Sequence, residues 1–421
     1  MAVKQKHSVA WFVWFLASFF YAYQYILRVL PNIMMPDIMQ KYHIDAGVFG
    51  QYSGLYYLGY AGMHIPLGLM LDKFGPKKVL PVCMILTVLG IIPLLLSESW
   101  VFPILGRFLI GIGSSAAILG VFKVVRMTFT EQRFTRMLGF SVTIGLLGAI
   151  YGGQPVNFML KTFGYESVLK MIALLGVCLA FITYWIVPAI EKPSENTSVW
   201  QDIKAVFQNK QVLTICLLAG LMVGPLEGFA DVWGKQYLIT SYGLSDSLAS
   251  TMPSLIFLGM CVGSTLMSLL AEKTKAYFEI IILSALGMGG MFALLLLGLF
   301  SVSYMSIAFI FVGILCAYQI LAIYKASTYV PDHLVSLTTA VANMIIMTFG
   351  YFFHSVIGKM MSLFWDGAVY NNTPLYNAES FTYGLSVIPI ALIIAAFGFM
   401  VFYVRDKQKG LYKAEVTAMK V

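Results

Sequence analysis

Arg28 lies inside the first long apolar run of the chain, where a charge costs about 2.5–3.5 kcal/mol on membrane-insertion scales and so needs a reason. Tyr21, Gln24, Tyr25, Arg28 and Asn32 recur at three- and four-residue spacing and would line one face of a helix. A polar stripe centred on an always-charged guanidinium should face a water-filled cavity. The planar fork of arginine suits a carboxylate or a phosphate. Two readings follow: Arg28 binds the anionic group of a small solute, or it pairs with a carboxylate of the chain itself and holds a gate.

The chain offers such carboxylates. Glu227, Asp231 and Lys235 follow at four-residue steps on one helical face, just after Gly224-Pro225, which should break the helix locally. Burial disfavours the charged form of a carboxylate and a nearby arginine favours it, and that conflict suits a proton-exchanging group. Glu227 is the first candidate for proton coupling and Asp231 the second; a plainer alternative is a static pair of Asp231 with Lys235. Gln154, Asn157, Gln319 and Asn343 are uncharged candidates for the wall of the same cavity. His64 and His354 are expected to be packed, hydrogen-bonding residues. Lys123 and Lys325 close two apolar runs, from which their long side chains would snorkel to the nearer membrane surface. Trp233 and Tyr237 read as interface-belt aromatics or as a gate.

The elements that position these residues must be membrane spans. Of 421 residues, 59% are hydrophobic and 11% charged, against about 25% charged in soluble domains. Runs long enough to cross a bilayer fall near 10–38, 48–71, 79–96, 101–125, 137–160, 167–188, 211–239, 247–271, 277–299, 302–327, 335–364 and 381–404. Lys4, Lys6, Lys73, Lys77, Lys78, Arg126, Arg133, Arg136, Lys192, Lys204, Lys210, Lys273, Lys275, Lys325 and the C-terminal Arg405, Lys407, Lys409, Lys413 and Lys420 then gather on one side. Lys41, Lys161, Lys170, Lys235 and Lys359 alone remain on the other. This bias predicts a multi-pass inner (plasma) membrane protein with both termini cytoplasmic. It also gives the net charge of +8 a topological cause, so no nucleic-acid partner is expected. The first run is too long for a signal peptide. The five cysteines all fall in apolar runs and read as buried thiols. With no Walker A loop, His-Glu-x-x-His, Cys-x-x-Cys or nucleophile elbow, neither an enzyme nor a cofactor or metal is expected.

A polar linker at 191–210 separates six spans (1–190) from six (211–421). A shift of 200 positions lays Tyr42 on Tyr242, Gly59 on Gly259 and Asp72-Lys73 on Glu272-Lys273, the mark of an internal repeat. On that shift Arg28 meets Gly228, so Arg28 and Glu227 should share one depth.

Between the second and third runs stands Gly68-x-x-x-Asp72-Lys73-x-Gly75-x-Lys77-Lys78. It resembles the loop 2–3 signature of the major facilitator superfamily of secondary transporters. Arg107-x-x-x-Gly111 and the glycine-rich Gly145-x-x-Gly148-x-x-x-Gly152-Gly153-Gln154-Pro155 are similar to further motifs of that family. Phe163-Gly164-Tyr165-Glu166 departs from the Gly-Trp-Arg of many relatives. The resemblance implies an all-α fold of two pseudo-symmetric six-helix bundles, alternating access around a midplane site, and a gating motif of Gly68, Asp72, Lys73, Gly75, Lys77, Lys78 and Arg107. Asp72 should pair with a cation of the other half or cap a helix. The stretch Tyr25-x-x-Arg28-x-x-Pro31 resembles the first helices of the organic-anion and solute symporter branches, where the arginine holds the substrate. The expected protein is therefore a monomeric, proton-coupled importer of an amino acid, short peptide or organic acid. The drug-exporter Gly-Pro of span five is absent, Ala149 following Gly148. An exporter, a phosphate-linked antiporter and a non-transporting receptor stay open.

Overall fold

A computed structural model of the chain describes residues 7–189, 199–408 and 410. Lys4, Lys6, Lys192, Lys409, Lys413 and Lys420, with linker residues 191–198, lie outside the described residues. Among those described, ten helices are long and apolar enough to cross a membrane: α1 (His7–Tyr42), α3 (Pro76–Leu96), α4 (Val101–Thr128), α6 (Tyr165–Ile186), α7 (Lys210–Tyr242), α8 (Asp246–Thr274), α9 (Tyr277–Leu296), α10 (Val302–Ser327), α11 (Asp332–Leu363) and α12 (Ala378–Gln408). An eleventh crossing, α5, runs through Glu131–Gly152 and, after a 40° bend at Gly153, Gln154–Phe163. The twelfth, α2 (Ala46–Phe74), has the length but less apolar character, because Tyr52, Tyr56, Tyr57 and Tyr60 stud it. Those tyrosines are buried in protein.

The ends of α2 follow from local chemistry. Asp45 Oδ1 accepts from the Val48 N–H at 2.8 Å and caps the start. Gly75, at φ +78°, stops the helix, and Pro76 opens α3 at once. The Gly68–Lys78 loop is thus a single turn; its end of the molecule is called the basic end below, the opposite one the far end.

Helices cross closely where glycine permits. A Cβ on Gly111 of α4 would collide with the Tyr56 carbonyl of α2, and one on Gly59 with that of Phe108. The same crossing recurs between α8 and α10, where Gly259 and Gly313 meet the carbonyls of Ile310 and Ile256. In packing, α1 lies on α4 and α5, α3 on α4 and α6, α8 on α10, and α9 on α12. Between these groups α2 lies on α11, α1 on α7, and α5 on α8. We propose that the groups are the two bundles, 1–190 and 211–421, with 191–210 between them.

Two features lie outside the sequence reading. Part of the linker is helical, Val199–Gln208, with Trp200, Ile203, Val206 and Phe207 at helical spacing. After α11, Val369–Tyr370 pairs antiparallel with Thr373–Pro374 in a short far-end hairpin. Not every cysteine is buried: Cys178 is exposed and Cys261 half-buried, because their faces of α6 and α8 point outward.

Candidate functional site

The sequence places Arg28 in α1 and the break of α7 at one depth, and the fold joins them. After Gly220 the α-helix of α7 stops; Gly224–Trp233 continues as a π-helix and Gly234–Tyr242 as α-helix again. Wide turns of this kind are rare and cluster at functional sites. Here the turn presents both acids to α1. Arg28 forms ion pairs with Glu227 and, through Nε at 2.6 Å, with Asp231 Oδ2. The Tyr57 hydroxyl of α2 lies between the two carboxylates, within hydrogen-bonding reach of both. The rings of Tyr25 and Tyr57 stand 5.0 and 5.4 Å from the guanidinium. Arg28, Glu227 and Asp231 are 5, 1 and 0% exposed, so no bulk water screens the cluster. Glu227 Oε1 and Asp231 Oδ1 receive no hydrogen bond from the described residues.

The plainer alternative, a static Asp231–Lys235 pair, does not form. Asp231 turns to Arg28, while Lys235 reaches Asp246 Oδ1 at 3.0 Å and Asn157 Oδ1 at 2.8 Å. One helical turn along α7 is enough to separate the two environments.

A frame holds the cluster. Arg107 donates to the carbonyls of Leu27 at 2.7 Å and Arg28 at 2.9 Å, and its ring neighbour is Tyr56 at 4.9 Å. It lies beside Arg28, near the far end of α4, rather than at the Gly68–Lys78 loop with which the motif grouped it. Gln24 accepts from the Tyr56 hydroxyl. His354 of α11 is packed, as expected, with Nε2 against the Glu227 carbonyl and its ring edge-on to Tyr57 at 5.2 Å.

On the far side of the cluster the two groups of helices are clasped. Asn32 donates to the Ala230 carbonyl at 3.0 Å and accepts from the Lys235 N–H at 3.1 Å. Asn157, hydrogen-bonded to Gln154 at 3.4 Å, also binds Asp246, which Lys161 reaches at 2.8 Å. These two polar residues of α5 therefore belong to a clasp, not to the wall around Arg28. Gly50, Gly54 and Gly358 let α2 and α11 touch, and buried Trp233 meets Phe49 at 5.7 Å, so it is no belt aromatic. The Tyr376 hydroxyl, which burial raises above the ordinary tyrosine range, stays protonated and accepts from the Ala46 N–H at 3.0 Å.

Toward the basic end, Asn343 faces Tyr60 across the groups, and Gln319 is buried with Nε2 lacking a described partner. Beyond lies a cavity of about 420 Å³, lined by Gly68, Asp72, Lys123 and Arg126 on one side and Ser336 and Thr339 of α11 on the other. Asp72 pairs at 2.6 Å with Lys123 of its own half, rather than with a cation of the other half. Lys123 thereby reaches an exposed carboxylate at the basic end. Lys73 and Lys77 lie over the rings of Phe74 and Tyr184, at 5.4 and 5.6 Å. Lys325, by contrast, does not snorkel: it is buried against Phe278, Tyr329 and Tyr277 at 5.1 to 5.9 Å.

Among the described residues, eleven long apolar helices with α2 packed among them, several broken, surround a buried charge cluster and define the secondary-transporter class of fold. The Major Facilitator Superfamily pattern matches residues 13–355, and the chain belongs to that family. It is similar to the probable galactarate/D-glucarate transporter GudP of Bacillus subtilis, 20% identical over 65% of this chain and 68% of that one. It is also similar to the hexuronate transporter of the same organism, 23% identical over 59% and 62%. The chain spans 57 to 68% of the length of three curated relatives. A bacterial homologue of the human lysosomal transporter Spinster, solved inward-facing and unoccupied, shares the fold, with a TM-score of 0.72 at 15% identity over 94% of this chain and 97% of that chain.

Proposed function

We propose that the chain imports a small organic anion across a bacterial inner membrane, as a monomer, and couples that movement to protons. Its basic end, with both termini, faces the cytoplasm. The observation that carries this reading is the buried group of one guanidinium and two carboxylates, Arg28 with Glu227 and Asp231. Counted at full ionisation, the group holds one negative charge too many for a dry site. One proton neutralises it. A second leaves Arg28 without an ionised partner, ready for the carboxylate of a solute.

Protons and substrate then bind together for an energetic reason. Stripping a buried charge of its partner costs about 3–5 kcal/mol, so neither the doubly protonated empty carrier nor the unprotonated loaded one is well populated. Relatives named for galactarate, D-glucarate and hexuronate support a sugar acid as substrate. Tyr25, Gln319 and Asn343 would meet its hydroxyls. Amino acids and short peptides carry the same anionic group and are the next class to try.

The test is Arg28→Lys in proteoliposomes, which keeps the charge and removes the fork. Uptake of D-glucarate should fall at least tenfold in apparent affinity while the protein still purifies folded. Wild-type affinity in this variant would refute the binding role.

A further inference from the structure

At the basic end, α7 begins and α12 ends beside an open groove of about 620 Å³, to which the transport cycle assigns no part. Lys210 and Arg405 flank it, and Gln211 and Thr214 lie between them. Neither cation pairs with a carboxylate among the described residues. Asp406 also lines the groove, but its Oδ2 is engaged by the Tyr329 hydroxyl at 2.6 Å.

Away from that end the groove passes into apolar surface: Val401, Phe397 and Ile394 of α12 and Leu217 of α7 are exposed. Gly398 lets α12 close on Leu218 behind it. Just before α7 the helix Val199–Gln208 carries Trp200, 80% exposed. An exposed tryptophan on a short amphipathic helix sits by preference at the level of lipid headgroups. Cations at headgroup depth with apolar surface running toward the bilayer centre match a phospholipid from head to tail.

We propose that this groove binds an anionic phospholipid, its phosphate between Lys210 and Arg405 and its chains along the apolar face of α12. The site is separate from the Arg28 cluster and does not rest on the transport reading.

The phosphate chemistry is shared with the free ion, so the experiment has both arms. The full chain, purified in a neutral detergent, is heated with dioleoyl phosphatidylglycerol, with dioleoyl phosphatidylcholine, or with inorganic phosphate. A ligand held by the folded state raises the midpoint. Phosphatidylglycerol should raise it by several degrees more than phosphatidylcholine does, and inorganic phosphate should leave it unchanged. Lys210→Gln with Arg405→Gln should lose at least half of that difference. Thr214→Trp, which fills the groove and keeps both charges, should lose it as well and serves if the double variant does not fold. An equal response to both lipids, a response to inorganic phosphate matching that to phosphatidylglycerol, or a lipid difference kept in Thr214→Trp would each overturn the site.

Discussion

A guanidinium shared by two carboxylates differs from a simple ion pair because one acid can be neutralised while the other still holds the cation. Tyr57 makes this exchange sensitive, since its single O–H lies within reach of both acids and donates to only one at a time. Tyr57→Phe should cost about 1 kcal/mol of stability, a typical net hydrogen bond, yet shift the pH profile of uptake. A variant with the wild-type profile would remove Tyr57 from the coupling. The three charged residues were legible in the sequence because charge in an apolar run is costly, and the 200-residue repeat put Arg28 level with Glu227. Tyr57 and His354 were not, since tyrosine and histidine in apolar helices are ordinary core residues until the fold brings α2 and α11 to the cluster. Nothing in residue spacing marks Asp246, an acid at a helix start, and only the crossing of α5 with α8 gives it Asn157 and Lys161.

Among the elements, α7 carries the most consequence. Gly224-Pro225 predicted a break, and a break is there, but the π-helix that follows was invisible to residue spacing because i and i+4 share a face in either form. The α2–α11 crossing makes the sharper test. A Cβ on Gly50 would collide with the His354 carbonyl, whereas one on Gly62 of the same helix would meet nothing within 4 Å. Gly50→Ala should therefore destabilise by about 1–3 kcal/mol, as overpacking does. Gly62→Ala should be neutral or gain up to about 1 kcal/mol from helix propensity. Thermal or denaturant unfolding of the pair checks this, and equal stabilities would contradict the packing. Length and hydropathy mark eleven of the twelve expected spans among the described residues, and α2 has the length of a span but less apolar character. The bends at Gly153 and within α7 depend on tertiary contacts, and the linker helix has too short an apolar face to stand out.

In the molecule as a whole, the contacts between the two helix groups are tight at the far end, while at the basic end a cavity lies between α2, α4 and α11. The Lys161–Asp246 pair is largely exposed and contributes about 0–1 kcal/mol. Lys235 and Asn157 make the buried part of the clasp. Asp246→Asn should loosen it. Spin labels at Thr162→Cys and Ser247→Cys, both at the far end and in opposite groups, should then report a longer-distance population than in the parent, with Cys178 replaced by Ser in both. An unchanged distance distribution would mean that glycine packing alone seals this end. The lysines around Gly68–Lys78 mark the basic end in the sequence, but not the partner of Asp72, which only the approach of α4 reveals as Lys123.

The most direct test of the central account is D-glucarate accumulation in proteoliposomes with an alkaline lumen, comparing the wild type with Glu227→Gln and Asp231→Asn. The account predicts accumulation against the glucarate gradient in the wild type, its collapse on adding a protonophore, and only downhill, pH-insensitive exchange in at least one of the two variants. Proton-driven accumulation that persists in both variants would contradict it.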